Sequence, residues 1–250
     1  MSRSLFLNVD LGELPGETED FYACAHVANV ACGGHAGDDA SMRRAVERCS
    51  AYGTRLGAHP SYPDRAGFGR RRIAMEPDAL RATIVEQHDR LAAVARALGQ
   101  TVQYVKAHGA LYHDAGEDER VAGAMVDAVL RSLGADVVLI GPPAGALARA
   151  AERAGLGFAP EGFADRAVGP DGVLVPRAEP GALITDPAEA VLRCRELLAA
   201  GGVSTLCVHG DTPGGIAIAR AVRVELDARA LYGSPSPHAR PKGEIGRHTR

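Results

Sequence analysis

The sequence predicts an α/β fold, a closed seven-stranded (β/α) barrel. Three observations lead there. Short apolar runs alternate with amphipathic stretches of helical length, the pattern of a parallel sheet built from β-α units. There are seven such runs. Nearly every run ends in a polar, glycine-bearing cluster. In a barrel the C-terminal strand ends converge on one mouth, whereas an open sheet concentrates its functional groups at a switch point.

The elements follow in chain order. A strand at 5–10 leads into NVDLGE (8–13). A strand at 27–32 leads into NVACGGHAGD (29–38), which opens a helix at 38–52. A strand at 54–59 ends in GAHPSYPDR (57–65) and is followed by a helix at 77–98. Pro77 suits the first turn of that helix, and Leu80, Ile84, Leu91, Val94 and Leu98 form one apolar stripe. A strand at 102–108 runs into VKAHGALYH (105–113), then a helix at 117–133. A strand at 136–140 precedes a helix at 145–154. A strand at 157–160 ends in PEGFADR (160–166), and residues 167–186 read as a long excursion near the mouth. A helix at 187–200 has Pro187 in its first turn and Asp186 as N-cap. A strand at 204–209 ends in VHGDTPGG (208–215), and a helix at 214–231 closes the pattern. No linker or repeat divides the chain, so residues 1–232 form one domain. Residues 233–250 carry little apolar content and read as a solvated tail.

Composition bounds the function. The 250 residues carry a net charge of −3, with 46% apolar and 24% charged residues, the balance of a soluble globular protein. That charge makes no case for a nucleic-acid binder. No apolar run is long enough to span a membrane. The first residues, MSRSLFLNVDLGE, lack a signal-peptide core. Five scattered cysteines without a C-x-x-C indicate reduced thiols in a cytoplasmic protein. Only two of the 28 basic residues are lysines, and Lys106 is the one inside a motif. A lone interior lysine points to a lysine-specific task, a compact charge or a tunable amine.

The chemistry gathers at the strand ends. His35, His59, His108 and His209 each lie within two residues of a glycine at such an end. One histidine there is more often structural than catalytic, but four at converging ends form a cluster. Asn8 and Asp10 share a strand face, and Asp10 with Glu13 supplies a general base or metal ligands; a helix cap or turn acid is the plain alternative. Lys106 and His108 share a face by the same period, suited to a carboxylate or developing oxyanion. His209 and Asp211 precede a glycine-proline turn into a helix, whose first N–H groups suit an anion. Asp38 opens a helix and could serve only as its N-cap. Glu161, Asp165 and Arg166 sit together, with Arg166 able to clamp a carboxylate or merely pair with Asp165. Arg65 belongs to a mouth loop, and the run Arg70–Arg72 reads most simply as a solvated segment, with anion binding as the alternative. There is no P-loop, no dinucleotide fingerprint, no H-E-x-x-H and no nucleophile elbow.

Taken in order, NVDLGE, NVACGGHAGD, GAHPSYPDR, VKAHGALYH, EGFADR, LVPR (174–177) and VHGDTPGG resemble the LamB/YcsF family, over about residues 5–231. The resemblance implies a β/α barrel related to glycoside hydrolases and polysaccharide deacetylases. It implies ATP-dependent opening of 5-oxoproline (pyroglutamate) to L-glutamate, together with separate B and C subunits. The family pattern carries over at Asp10, Glu13, Asn29, His35, Asp38, His59, Arg65, Lys106, His108, Glu161, Asp165, Arg166, His209 and Asp211. It departs at Gly34, Ala107, His113 and Val168, which bear on pocket shape rather than charge. The expected catalytic set is Asp10, Glu13, His59, Lys106, His108, His209 and Asp211. Asp10 or Glu13 would be the base and His59 or His209 an acid/base. Asn8, Asn29, His35, Asp38, Arg65, Glu161, Asp165 and Arg166 are expected around the substrate, with Lys106 and Arg166 holding its carboxylate or phosphate. The missing P-loop fits ATP being handled with the partner subunits. A divalent metal and a homo-oligomer are both compatible with the sequence. Two other readings stand beside this one: a stand-alone metal-dependent amide or N-acetyl hydrolase, and a non-catalytic subunit of a larger enzyme.

Overall fold

The computed structural model describes residues 5–169, 174–177 and 179–231. The expected tail at 233–250 lies outside them. Seven strands alternate with helices: β1 (Phe6–Leu11), α1 (Asp20–Cys24), β2 (Val27–Ala31), α2 (Asp39–Tyr52), β3 (Arg55–His59), α3 (Pro77–Ala97), β4 (Val102–Lys106), α4 (Gly109–Glu117), α5 (Glu119–Ser132), β5 (Val138–Gly141), α6 (Ala146–Arg153), β6 (Gly157–Phe163), α7 (Pro187–Ala200), β7 (Thr205–His209) and α8 (Gly215–Leu231). Every strand pairs in parallel with the next, and β1 also pairs with β7, so the sheet closes. Closure leaves no unpaired edge.

Period-two alternation sorts each strand into an inner and an outer face. All six residues of β1 are buried because both faces are covered. Leu7, Val9 and Leu11 point outward into the core shared with the helices, beside Leu56, Val105, Leu139, Leu206 and helical residues such as Ile84, Leu91 and Met125. Phe6, Asn8 and Asp10 point inward, and the interior is layered. Its lower end is an apolar plug of Phe6, Val27, Tyr104, Ile140 and Ala159. Phe6 and Tyr104 pack with centroids 5.5 Å apart. Arg55 lies over both rings and donates to the Tyr104 hydroxyl at 2.7 Å. Above the plug the interior turns polar, with Asn8, Asn29, Lys106, Glu161, Thr205 and Cys207 all buried. Asp10, His59, Phe163 and His209 reach the cavity at the C-terminal mouth.

The structure departs from the sequence expectation in three places. The helix expected at 117–133 is α5, which starts at Glu119 because Asp118 is extended and its carboxylate caps the first turn at Arg120 N. A further helix that the sequence reading did not assign, α4, begins at Gly109 within the VKAHGALYH motif. Strand β6 runs on past Pro160 to Phe163. Proline is tolerated there because its ladder with β5 ends at Pro160 and its ladder with β7 starts at Glu161. The short helix α1 had no periodic signal to reveal it. Among the described residues, no helix is long and apolar enough to cross a membrane, and the five cysteines are free thiols.

Candidate active site

The mouth encloses a cavity of about 450 Å³. Its floor is Asp10, Glu13, Lys106 and a histidine cluster, and its rim carries Arg70, Arg72, Arg166 and Arg177. Lys106 Nζ sits 3.1 Å from both Asp10 oxygens, 3.0 Å from Glu161 Oε1, 3.3 Å from Asn8 Oδ1 and 3.0 Å from Cys207 Sγ. Burial alone would lower its pKa, but Asp10, Cys207 and Glu161 hold it well above the ordinary lysine value. Two carboxylates already meet the ammonium, which also lines the cavity floor. Its contacts hold Asp10 in place. Asn29 does the same, donating to Asp10 Oδ1 at 2.9 Å and to Asn8 Oδ1 at 2.8 Å. Burial works against ionisation of Asp10, yet the His59 and Lys106 charges hold its carboxyl well below the usual range.

The histidines fix one another. His59 Nδ1 lies 2.7 Å from the Lys106 carbonyl, so that nitrogen carries a hydrogen. His108 Nε2 lies 2.9 Å from the Phe68 carbonyl, so it does too. The remaining nitrogens, His59 Nε2 and His108 Nδ1, face each other at 3.0 Å. Two lone pairs facing at that distance call for something positive between them, a shared proton or a cation bound to both. Asp10 Oδ2 at 3.4 Å and Glu13 Oε1 at 3.6 Å from His59 balance the charge. Burial disfavours a charged His59, but these carboxylates raise its proton affinity above the ordinary value. Burial lowers that of His108. Glu13 also meets His35 at 2.9 Å and His108 at 3.1 Å, and despite burial these partners hold it far below the usual carboxylate range. His35 is stacked on His108 at 3.6 Å, and burial depresses its pKa to about 4.

Glycine makes this packing possible. A Cβ on Gly69 would lie 2.8 Å from His35 Cβ and 2.9 Å from His108 Cδ2. The preceding Phe68 has φ of 54°, an uncommon conformation for a bulky residue. It turns its carbonyl to His108 and its ring edge-on to both histidines.

His209 is held from the other side. Asp165 Oδ2 accepts from His209 N at 2.9 Å and from Thr212 Oγ1 at 2.7 Å. Asp165 Oδ1 lies 3.0 Å from His209 Nδ1. Nδ1 therefore carries a hydrogen, and Nε2 lies 4.0 Å from Asp10 Oδ2. Burial raises the Asp165 pKa, but the His209 charge and these hydrogen bonds lower it below the ordinary value. Asp165 orients His209; it does not pair with Arg166.

Other expected site residues fall elsewhere. Asp38 is exposed and forms a capping box with Ser41, at 2.7 Å to Ser41 N. It caps the start of α2 and does not line the cavity. Arg65 is also exposed, donating to the Gly33 and Gly37 carbonyls and tying two mouth loops together. Asp211 lines the cavity but is engaged by Arg70 and Arg177. The Arg70–Arg72 run is not a plain solvated segment: Arg70 pairs with Asp211, Arg71 with Asp64, and Arg72 with Asp114 and Glu117. Sequence reasoning did not single out Cys207, Tyr112 or Phe163. Cys207 was legible as the inward residue two before His209. Tyr112 sits on the unexpected helix α4, where burial and Glu161 push its phenol well above the usual range. Phe163 stacks on His209 at 5.7 Å.

Ligand atoms of Glu13, His35, His59 and His108 lie within 4.8 Å of one another. Metal-bound histidines hold their second N–H on a carbonyl, as His59 and His108 do. Glu13, His59 and His108 thus fit a divalent ion. His35 does not join them, since its ring is parallel to His108 within 2° and one ion cannot lie in both planes.

Comparison with known proteins agrees with this barrel. The LamB/YcsF family profile matches residues 5–240. The chain is 48% identical over 238 residues to a Streptomyces griseus protein named as the A subunit of 5-oxoprolinase, spanning 88% of this chain and 95% of that one. A Methylococcus capsulatus protein of the same name is 44% identical over 248 residues, with 92% and 95% covered. The crystal structure of a lactam utilization protein from Thermus thermophilus superposes with a TM-score of 0.82 at 36% identity, covering 91% of this chain and 97% of that one. With the profile running from the first strand to beyond the last helix, and relatives matching along nearly their whole length, this chain belongs to the LamB/YcsF family.

Proposed function

We propose that this chain is the lactam-opening subunit of a cytoplasmic 5-oxoprolinase, converting 5-oxoproline to L-glutamate at the expense of ATP with separate B and C subunits. The observation that carries this reading is one cavity joining a proton-handling floor to a guanidinium rim, in a chain whose relatives are named as the A subunit of 5-oxoprolinase. A lactam amide is a poor electrophile. Phosphorylation of its oxygen draws electrons from the ring carbon and lets water add there. Asp10 and Glu13 are held too acidic to be effective bases near neutral pH. His209, oriented by Asp165 with Nε2 free, takes the proton of the attacking water. The resulting tetrahedral carbon has two exits. Loss of phosphate regenerates the lactam and wastes the ATP. Cleavage of the ring C–N bond gives an acyl phosphate, which a second water converts to glutamate and phosphate. That productive exit requires the ring nitrogen to gain a proton as it takes the bonding pair. The cationic His59–His108 pair is the donor, and Asp10 and Glu13 keep it charged. Asn8, Asn29 and Glu161 set the polar floor beneath it.

A divalent ion on Glu13, His59 and His108 would instead supply Lewis-acid polarisation of an amide carbonyl, as in a stand-alone amide hydrolase. The donor set alone favours that second reading.

The test is 5-oxoproline-dependent formation of glutamate and ADP, for the chain alone and with its B and C partners. Activity is expected only in the mixture. Activity of the chain alone would put the ATP site here. No activity with any combination of verified partners overturns the lactam reading, and stoichiometric metal in the purified chain would then favour the second.

A further inference from the structure

Three mouth segments meet at one carboxylate. Asp211 follows β7; its Oδ2 accepts from Arg70 Nη2 at 2.9 Å, from the loop after β3. Its Oδ1 accepts from Arg177, in the excursion between β6 and α7. A third guanidinium, Arg166, follows β6 and lines the same cavity. Arg166 is nine-tenths buried. It donates through Nη2 to the Val175 carbonyl at 2.7 Å, while its Nε has no hydrogen-bond partner among the described residues. A buried guanidinium with an idle donor is costly unless something is due to receive it.

The charges do not cancel. Arg70, Arg166 and Arg177 have one carboxylate between them in ion-pair contact, Asp211, so this trio keeps two positive charges over, while Arg72 on the same rim is already paired with Asp114 and Glu117. Burial first, and then the charges of Arg177 and Arg70, weaken the hold of Arg166 on its proton, against the opposing charge of Asp165. A carboxylate ligand would leave one charge over; a dianion matches the surplus. Guanidinium forks also suit phosphoryl oxygens. The proton-handling floor lies in the same cavity, so an anion at this rim places the group attached to it over Asp10, His59 and His209.

We infer that Arg70, Arg166 and Arg177 form a seat for the phosphoryl dianion of an activated substrate, with Asp211 as the resident counter-ion that the dianion displaces. The identity of the phosphorylated substrate rests on the proposed lactam activation; the seat itself does not. Asp211 is then a placeholder. It keeps the arginines from repelling one another and releases them when a better anion arrives.

Binding of inorganic phosphate to the purified full chain, by calorimetry and phosphorus NMR at fixed low ionic strength, tests the seat without ATP, lactam or partner subunits. Acetate serves as the monoanionic control. Phosphate is expected to bind at least about tenfold more tightly than acetate, and Arg70→Gln or Arg177→Gln to weaken it by about tenfold each. Asp211→Asn is expected to tighten phosphate binding, since the competing carboxylate is gone. A purely structural ion pair predicts the opposite sign, because freeing the loops would loosen any site they form. Thermal unfolding of each variant shows that it is folded, and Arg70→Gln, on an exposed loop, is the variant safest on that count. Absence of phosphate binding, indifference to Arg70→Gln, or weaker binding in Asp211→Asn overturns the proposal. Phosphate binding with this pattern, but no glutamate formation with partners, removes the lactam reading and leaves the seat. Glutamate formation with no phosphate binding does the reverse.

Discussion

In the proposed mechanism His59 is the proton donor, and its surroundings hold it from three directions. The Lys106 carbonyl takes the hydrogen on Nδ1, and His108 accepts on the far side because the Phe68 carbonyl fixes its own tautomer. Asp10 and Glu13 compensate the charge. This gives His59→Gln a diagnostic consequence. Glutamine keeps a donor to one neighbour but cannot deliver a proton to a departing ring nitrogen. Water addition, served by His209, continues, and the tetrahedral carbon expels phosphate instead. The variant in the assembled enzyme is expected to lose glutamate formation by about 10²-fold or more, while ADP release falls far less. The ratio of ADP to glutamate rises above its wild-type value. Equal loss of both products would remove His59 as the donor and return it to a merely structural place. The residues behind this argument were unequally legible. Asn8 with Asp10, and Thr205 with Cys207 and His209, follow from alternation on a single strand. The His59–His108 contact does not, because His108 lies beyond its strand and is turned inward by the Gly69–Gly109 approach. A Cβ on Gly109 would lie 2.4 Å from the Gly69 carbonyl oxygen, and nothing local in either sequence segment announces that partner.

Helix termini show how one carboxylate can be read two ways. Asp38 stands in a motif beside His35, and proximity in sequence suggests proximity to the ligand. Its carboxylate instead accepts from Ser41 N at 2.7 Å, and Ser41 Oγ receives the N–H of Asp38 at 2.8 Å. The pair closes the first turn of α2 and sets where the chain leaves the His35 loop. Asp38→Ala is expected to lower the unfolding midpoint by a few degrees and to leave KM for 5-oxoproline within about twofold. Thermal unfolding beside steady-state kinetics checks both. A large rise in KM with unchanged stability would return Asp38 to the ligand. The same element-scale reasoning explains α4. Its first residue is a glycine with φ of +57°, and its N-cap histidine makes no capping hydrogen bond. Those are poor start signals, so the sequence reading assigns no helix there. The helix at 187–200, by contrast, has Asp186 accepting from two N–H groups and a first-turn proline, and its bounds were legible to the residue.

The barrel separates stability from chemistry along its axis. Its apolar plug at the N-terminal end lies beneath the Asn8 layer, which in turn lies beneath Asp10 and the mouth. Layering of this kind follows from alternation within strands that all run the same way, so the inner residues of each strand pass in order from plug to mouth. Phe6 belongs to the plug, packed on Tyr104 and covered by Arg55. Phe6→Ala removes a ring from a closed interior whose walls are hydrogen-bonded strands and can collapse little. The expected cost is about 3–5 kcal/mol, seen as a lower urea midpoint at unchanged slope, because a sheet joined on itself from β1 to β7 has no free edge from which to unfold in parts. At temperatures where the variant stays folded, kcat and KM for 5-oxoproline with partners should equal those of the wild type, since the Asn8–Asn29–Lys106 layer stands between the void left in the plug and the Asp10 carboxylate. Two separate urea transitions would show that plug and mouth unfold independently. A shift in kcat at full folding would show that the polar layer transmits the loss upward, and that the mouth geometry depends on the packing of the whole barrel.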